Sequence, residues 1–180
     1  GVIYANHGSG SSLECVAEGT VASLNDFSNV AVTYGSNYGS HQFSIFLDGV
    51  VEKQCQNIPY PTQDYNNDLV IGKHTSGNSY LKGKIREIQI WNTELHENII
   101  NELIDGANPL SVDGELKAFY KFNQGEDGLY PNSLIDHSGN QNHGTIYGAE
   151  WVENEVFGCT DELACNYDEI ANISDDSCDY

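Results

Sequence analysis

Residues 29–54, NVAVTYGSNYGSHQFSIFLDGVVEKQ, do most to limit what this chain can fold into. The run 30–34 is β-branched and aromatic. The run 43–47 puts Phe43, Ile45 and Leu47 on one side, with Ser44 and Phe46 on the other. Asp48-Gly49 separates this run from Val50-Val51. An Asp-Gly pair between apolar runs signals a tight hairpin, because both central turn residues must take positive φ. Three successive strands need a second layer to cover them, so the expectation is a layered sheet with Phe43, Ile45 and Leu47 inward.

The remaining chain supports an all-β reading. Residues 2–5 and 13–17 are weak strand candidates, and 69–72 (LVIG) reads as a short buried strand. Residues 85–91 alternate, with Ile88 and Ile90 on one face and Glu87, Gln89 and Trp91 on the other. Over 93–104, Leu95, Ile99 and Leu103 recur four apart with Ile100 and Ile104 beside them. That pattern predicts a helix capped by Asn92 or Thr93 and stopped by Gly106 and Pro109. Residues 116–122 alternate again, placing Leu116, Ala118, Tyr120 and Phe122 together, and 145–152 can form a final strand pair. A lone helix among many strands marks a β domain with a helical connection.

Charge and cysteines bound the partners. With 27 acids against 7 bases the net charge is −20, which repels phosphate backbones and anionic membranes, so no nucleic acid and no membrane insertion are expected. Of the five cysteines, Cys159, Cys165 and Cys178 crowd the end of the chain and suggest an extracellular, disulfide-stapled module. Cys15 can reach Cys55 across a sheet, and either Cys159 or Cys165 can pair with Cys178. From Phe157 onward the composition turns to Cys and acid. The expected domains are therefore 1–156 and 157–180, and the chain, lacking an initiator Met, reads as an excised piece of a longer multidomain protein.

Three stretches together carry a resemblance: VAVTY…FSIFLDGVV, LVIGKHTSGNSYLKGKIREIQIWNTELHENII and LKAFYKFNQGEDG…IDHSGNQNHGTIYGAEWV. They are similar to the laminin-G-like, concanavalin-A-type jelly-roll modules of bacterial secreted proteins, over about residues 1–152. The tail GCTDELACNYDEIANISDDSCDY resembles a short Cys-rich repeat of bacterial surface proteins. The resemblance implies a two-sheet antiparallel jelly-roll sandwich with one short helix and a small stapled repeat behind it. The chain departs from the family pattern at Phe27-Ser28, where Trp-His is usual, and at Arg86, where an acid is usual. Asp176 stands at a turn position often held by Gly. The segment 116–151 resembles the opening of such a domain placed after its end, and could close the sandwich.

Three chemistries follow from the residues. Jelly-roll glucanases use alternate acids on one strand, as in E-x-D-x-x-E, to flank a glycosidic bond. Residues 85–91 and 116–122 offer only Glu87, and all six histidines fall in loops or at a helix start, so no enzyme is expected. Oxygen side chains at alternate positions suit a calcium ion. Two sets qualify, Asp136, Ser138 and Asn140, and Asp64, Asn66 and Asp68, with Asx-turns as the alternative use of either. Structural calcium is also what the family resemblance implies. Acids of the tail, including Asp161, could serve a cation or simply be solvated. Aromatic rings flanked by amides and carboxylates suit sugars: Trp91, Gln89 and Glu87 on one strand face, and Tyr60, Tyr65 and Asn67 in the loop after the hairpin. Core packing is the competing role for these aromatics. The expectation is a secreted or cell-surface, non-catalytic module that recognises glycans or mediates adhesion. A structural spacer or protein-contact module is the alternative, and a glycoside hydrolase fragment the third.

Overall fold

The hairpin forms because Asp48 and Gly49 take φ of 47° and 81°, the paired left-handed turn that matches strand twist. Asp48 also closes the turn with its own carboxylate, which accepts from the Asn29 N–H (2.7 Å) and the Ser28 hydroxyl (3.3 Å). The computed structural model describes residues 2–6, 14–18, 27–37, 40–57, 68–73, 80–123, 132–152, 157–168, 173–174 and 176–180, with backbone alone at 2–6, 14–18, 36, 37, 40, 41 and 157. Strands β1 (Val2–Asn6) and β2 (Glu14–Glu18) pair antiparallel. Strands β3 (Val30–Asn37), β4 (Ser40–Leu47) and β5 (Val50–Gln56) form an antiparallel sheet in that order.

The register explains the burial of β4. Val32 faces Ile45 and Tyr34 faces Phe43, with the Tyr34 and Phe43 rings 6.2 Å apart, whereas Ala31 pairs with Phe46 and Thr33 with Ser44 on the opposite side. Ile45 is completely buried, but Phe43 and Leu47 are only half-buried, and Phe46 and Ser44 are buried as well. The middle strand is thus covered on both faces, which corrects the one-sided expectation. A bulge opposite Ile45 and Phe46 leaves Glu52 of β5 as the extra residue.

Strand β6 (Ile88–Trp91) is shorter than the 85–91 run and pairs antiparallel with β7 (Leu116–Tyr120). Helix α1 spans Glu97–Ile104, later than expected. Asn92 and Thr93 do not cap it because they bind the start of β7: the Asn92 amide donates to the Glu115 carboxylate (2.8 Å) and the Thr93 hydroxyl accepts from the Glu115 N–H (2.9 Å). The stop is as expected. Gly106 sits at φ 95° and donates to the Leu103 carbonyl, while Ala107 donates to Glu102, a Schellman motif. Ile100 is buried, with Leu95, Ile99 and Leu103 half-buried beside it.

The helix segment crosses the β3–β5 sheet. The Glu94 carboxylate rests on Gly35, and Asn101 and Ile104 rest on Gly49, so residues 94–104 cover the face carrying Thr33, Ser44 and Phe46. Other expectations shift. Leu69 and Val70 are 65% and 46% exposed and lie outside any strand, because Gly72 (φ 79°) turns the chain into a Lys73–Tyr80 bridge. Strand β7 stops at Tyr120, since Phe122 takes φ 50°. Beyond it lie β8 (Ser133–Leu134) paired with β9 (Gly144–Thr145), and β10 (Phe157–Gly158) paired parallel with β11 (Ile173–Ser174). Of the pair expected over 145–152, only Thr145 takes part.

The chain divides into two compact units, residues 1–121 with 136–142, and residues 122–135 with 143–180. The described residues are mostly antiparallel sheet with one α-helix. Segment 116–120 pairs with β6.

Candidate functional site

The polar face of β6 is a connected row. Strand alternation aligns Glu87, Gln89 and Trp91; Gln89 Nε2 donates to Glu87 Oε1 (2.6 Å), and Trp91 Nε1 donates to Gln89 Oε1 (3.1 Å). The Gln89 amide is therefore fixed in orientation, with one N–H left over. Glu87 is exposed, and Gln89 and Trp91 are half-buried. The Trp91 ring lies against Gly114, where an added Cβ would come within 3.3 Å of Cε3 and Cζ3. Gly114 also lines a groove of about 350 Å³ with Leu110, Val112, Glu115, Lys117 and Asn140. The Asn92 amide and the Lys117 ammonium (3.1 Å) hold the exposed Glu115 carboxyl below its usual range.

Across the strand pair, Gln89 faces Phe119, which is buried under the edge of the His137 ring at 6.2 Å. His137 Nε2 is buried without a hydrogen-bond partner among the described residues, so this histidine is a packing group.

Asp136, Ser138 and Asn140 do converge. Asp136 is buried, and its Oδ1 accepts from the backbone N–H of Phe119 (2.9 Å) and of Ser138 (2.8 Å). Oδ2 accepts from the Ser138 hydroxyl (2.8 Å) and the Asn142 N–H (2.9 Å). Burial pushes this carboxyl up, but the four donors outweigh it and hold it below the usual range. The Asn140 and Asn142 amides each donate to main-chain carbonyls at the start of β7 (2.7 Å), and His137 N–H donates to Phe119 C=O. Loop 136–142 thus caps the edge of β7 that faces away from β6, using side chains where another strand would otherwise pair. Both oxygens of Asp136 are filled by internal donors, so a calcium ion does not fit this arrangement. Asn142 was missed in the sequence, although its amide does as much here as that of Asn140. The Tyr120 hydroxyl donates to Asn142 C=O (2.5 Å); burial, then the Asp136 charge, push it up.

Of the other candidates, Tyr60, Asp64, Tyr65, Asn66 and Asn67 lie outside the described residues, and Asp68 is exposed. Among the described residues, no group of three or more His, Cys, Asp or Glu side chains is placed to hold a metal ion. Cys178 pairs with Cys159, leaving Cys165 free and exposed. Cys55 is disulfide-bonded, and the side chain of Cys15 lies outside the described residues. In the tail both oxygens of Asp161 are engaged, one by the Leu163 N–H and one by the Tyr180 hydroxyl at 2.6 Å, which holds its carboxyl low. Asp176 takes φ 61°, a left-handed backbone that glycine adopts without strain. The two departures at Phe27 and Arg86 meet: the guanidinium stands 4.2 Å over the ring.

The antiparallel sheets and single α-helix of the described residues are consistent with a concanavalin A-like sandwich. The family model of the concanavalin A-like lectin/glucanases superfamily, laminin G type, matches residues 2–101, and the chain belongs to that family. The match runs from β1 into α1 and stops before β7 and the Asp136 loop, short of the 1–152 span expected from the sequence. Comparison with curated proteins and with solved structures returned no match. Laminin G-like domains are usually non-catalytic binding modules, and the wider superfamily also includes glycosidases.

Proposed function

We propose that this chain is a non-catalytic extracellular binding module, acting in glycan recognition or adhesion, within a closed jelly-roll sandwich of a bacterial surface or secreted protein. The Glu87–Gln89–Trp91 row carries the proposal. It offers a half-exposed indole for a pyranose face, a carboxylate acceptor and one unspent amide N–H in fixed positions. The Cys159–Cys178 link suits an oxidising compartment and a short Cys-rich repeat at 157–180, and no helix among the described residues is long and apolar enough to cross a membrane. A glycan array probed with the native chain and with Trp91→Ala tests this. Binding that falls at least tenfold in the variant is expected, and a silent array over plant and animal glycans overturns it.

The spacer or protein-contact alternative has its own support, since Phe119 and His137 fill the β7 side of the same face. Calcium stays in the proposal at the Asp64, Asn66 and Asp68 loop. A thermal melt with calcium and then chelator, repeated on Asp64→Asn with Asp68→Asn, should show a calcium shift that the double variant loses. The absence of any shift in the native chain removes the metal from the proposal.

A further inference from the structure

The face that carries Trp91 continues across β7. Leu116 is the cross-strand partner of Trp91, so the two side chains share one face, and the indole edge rests on Gly114 two residues earlier. Leu116 and Gly114 both line the groove of about 350 Å³, so the groove adjoins the Trp91 face. Every described residue lining it lies beyond residue 101, where the family match ends. The register shifts between Ile90 and Trp91 and leaves Lys117 as an extra residue of β7. Such a bulge re-aims a side chain, and here the consecutive Leu116 and Lys117 both reach the groove.

Three kinds of contact are on offer there. Leu110 is 57% exposed and, with the half-buried Val112 and Leu116, gives an aliphatic wall; the described lining includes no aromatic ring. The Lys117 ammonium spends one N–H on Glu115 at 3.1 Å and keeps two. The Asn140 amide donates through Nδ2 to the Leu116 and Lys117 carbonyls and to Ser138 Oγ, while its Oδ1 accepts from no described residue. A pyranose ring stacks on an aromatic face, which places it on Trp91 and not in this groove. An aliphatic wall together with an N–H donor and an oxygen acceptor suits a methyl amide. Its methyl meets the wall, its C=O accepts from Lys117, and its N–H donates to Asn140 Oδ1. Sugars carry that group as an acetamido substituent.

We infer that Leu110, Val112, Leu116, Lys117 and Asn140 form a subsite for the acetamido group of an N-acetylhexosamine, in a glycan that also stacks a ring on Trp91. This rests on the glycan-binding proposal and narrows it to N-acetylated glycans. Calorimetric titration of the full chain compares chitotetraose with cellotetraose, and N-acetyllactosamine with lactose, pairs that differ only in acetamido against hydroxyl. The acetamido member of at least one pair should bind about tenfold more tightly, the worth of a buried methyl and a net hydrogen bond. Leu110→Ser and Lys117→Met should each remove about fivefold of that preference and leave the hydroxyl member unchanged, with thermal melts verifying that both variants fold. Trp91→Ala should weaken both members. Equal binding within each pair, unaltered in Leu110→Ser and Lys117→Met, overturns the acetamido subsite and leaves glycan binding standing. A preference that survives both variants overturns its placement in this groove. No binding of any of these sugars overturns the subsite, and the glycan array then decides the wider reading separately. N-acetylalanine methylamide binding as tightly as the preferred sugar overturns the assignment to a glycan.

Discussion

Asp136 shows how one carboxylate can do the work of a missing strand. Its four acceptances close a loop that covers the outer edge of β7, and the charge is retained because the donors outweigh burial. Asp136→Ala leaves the N–H groups of Phe119, Ser138 and Asn142 without their acceptor and should cost about 3 kcal/mol, read by chemical denaturation. The folded carboxyl titrates below the unfolded value near 3.8, so its contribution is fully present above that pH and is lost as the pH falls through the folded value. Asp136→Asn, which cannot titrate, should be less stable at neutral pH and lack that acid-dependent loss; an identical acid profile in both proteins would rule out this role. The sequence marks Asp136, Ser138 and Asn140 as candidate calcium ligands, and in the structure hydrogen bonds bring them together. It could not tell a cation from the strand edge as their common partner, because the partner carbonyls of Leu116 and Lys117 lie more than twenty residues away.

Elements set by local chemistry were legible, and those set by distant partners were not. The Asp48–Gly49 turn follows from residues whose own backbone preferences decide it, and the Gly106 stop from the same rule. Helix α1 starts later than its apolar pattern predicts because Asn92 and Thr93, good capping residues, bind Glu115 across 22 or 23 positions instead. The LVIG run is an exposed connection and not a strand, a distinction that apolarity alone does not carry. Gly49 carries a double constraint, its φ of 81° and the Asn101 side chain against its Cα. Gly49→Ala should destabilise by about 2 kcal/mol, part conformational and part steric. In the Asn101→Ala background the steric part disappears and about 1 kcal/mol should remain. Equal costs in both backgrounds would show that α1 does not press on the turn.

At the scale of the whole molecule, the family match and the packing divide the chain differently. The match ends at residue 101, inside α1, yet the first compact unit also takes in β7 and loop 136–142, which complete the β6 pair and its edge. The second unit has few buried apolar groups among its described residues, chiefly Leu134, Cys159 and Ala164, so a covalent link matters more there than in the first. The Cys159–Cys178 disulfide closes a loop with a sequence separation of 19. Chain-entropy arguments give such a link about 3 kcal/mol, a large share of what a small unit holds. Around it, Asn166 donates to the Ser177 carbonyl and accepts from the Asp179 N–H, and Cys165 N–H donates to Asp179 C=O; these bonds need the two ends of the loop held together. Replacing both cysteines by serine should therefore abolish amide protection at Cys165 and Asp179 in hydrogen exchange. Amides of β4, held on both sides by β3 and β5, should keep theirs. Protection that persists at Cys165 and Asp179 would mean that the hydrogen bonds alone hold the tail, and loss throughout β4 would mean that the two units fold as one.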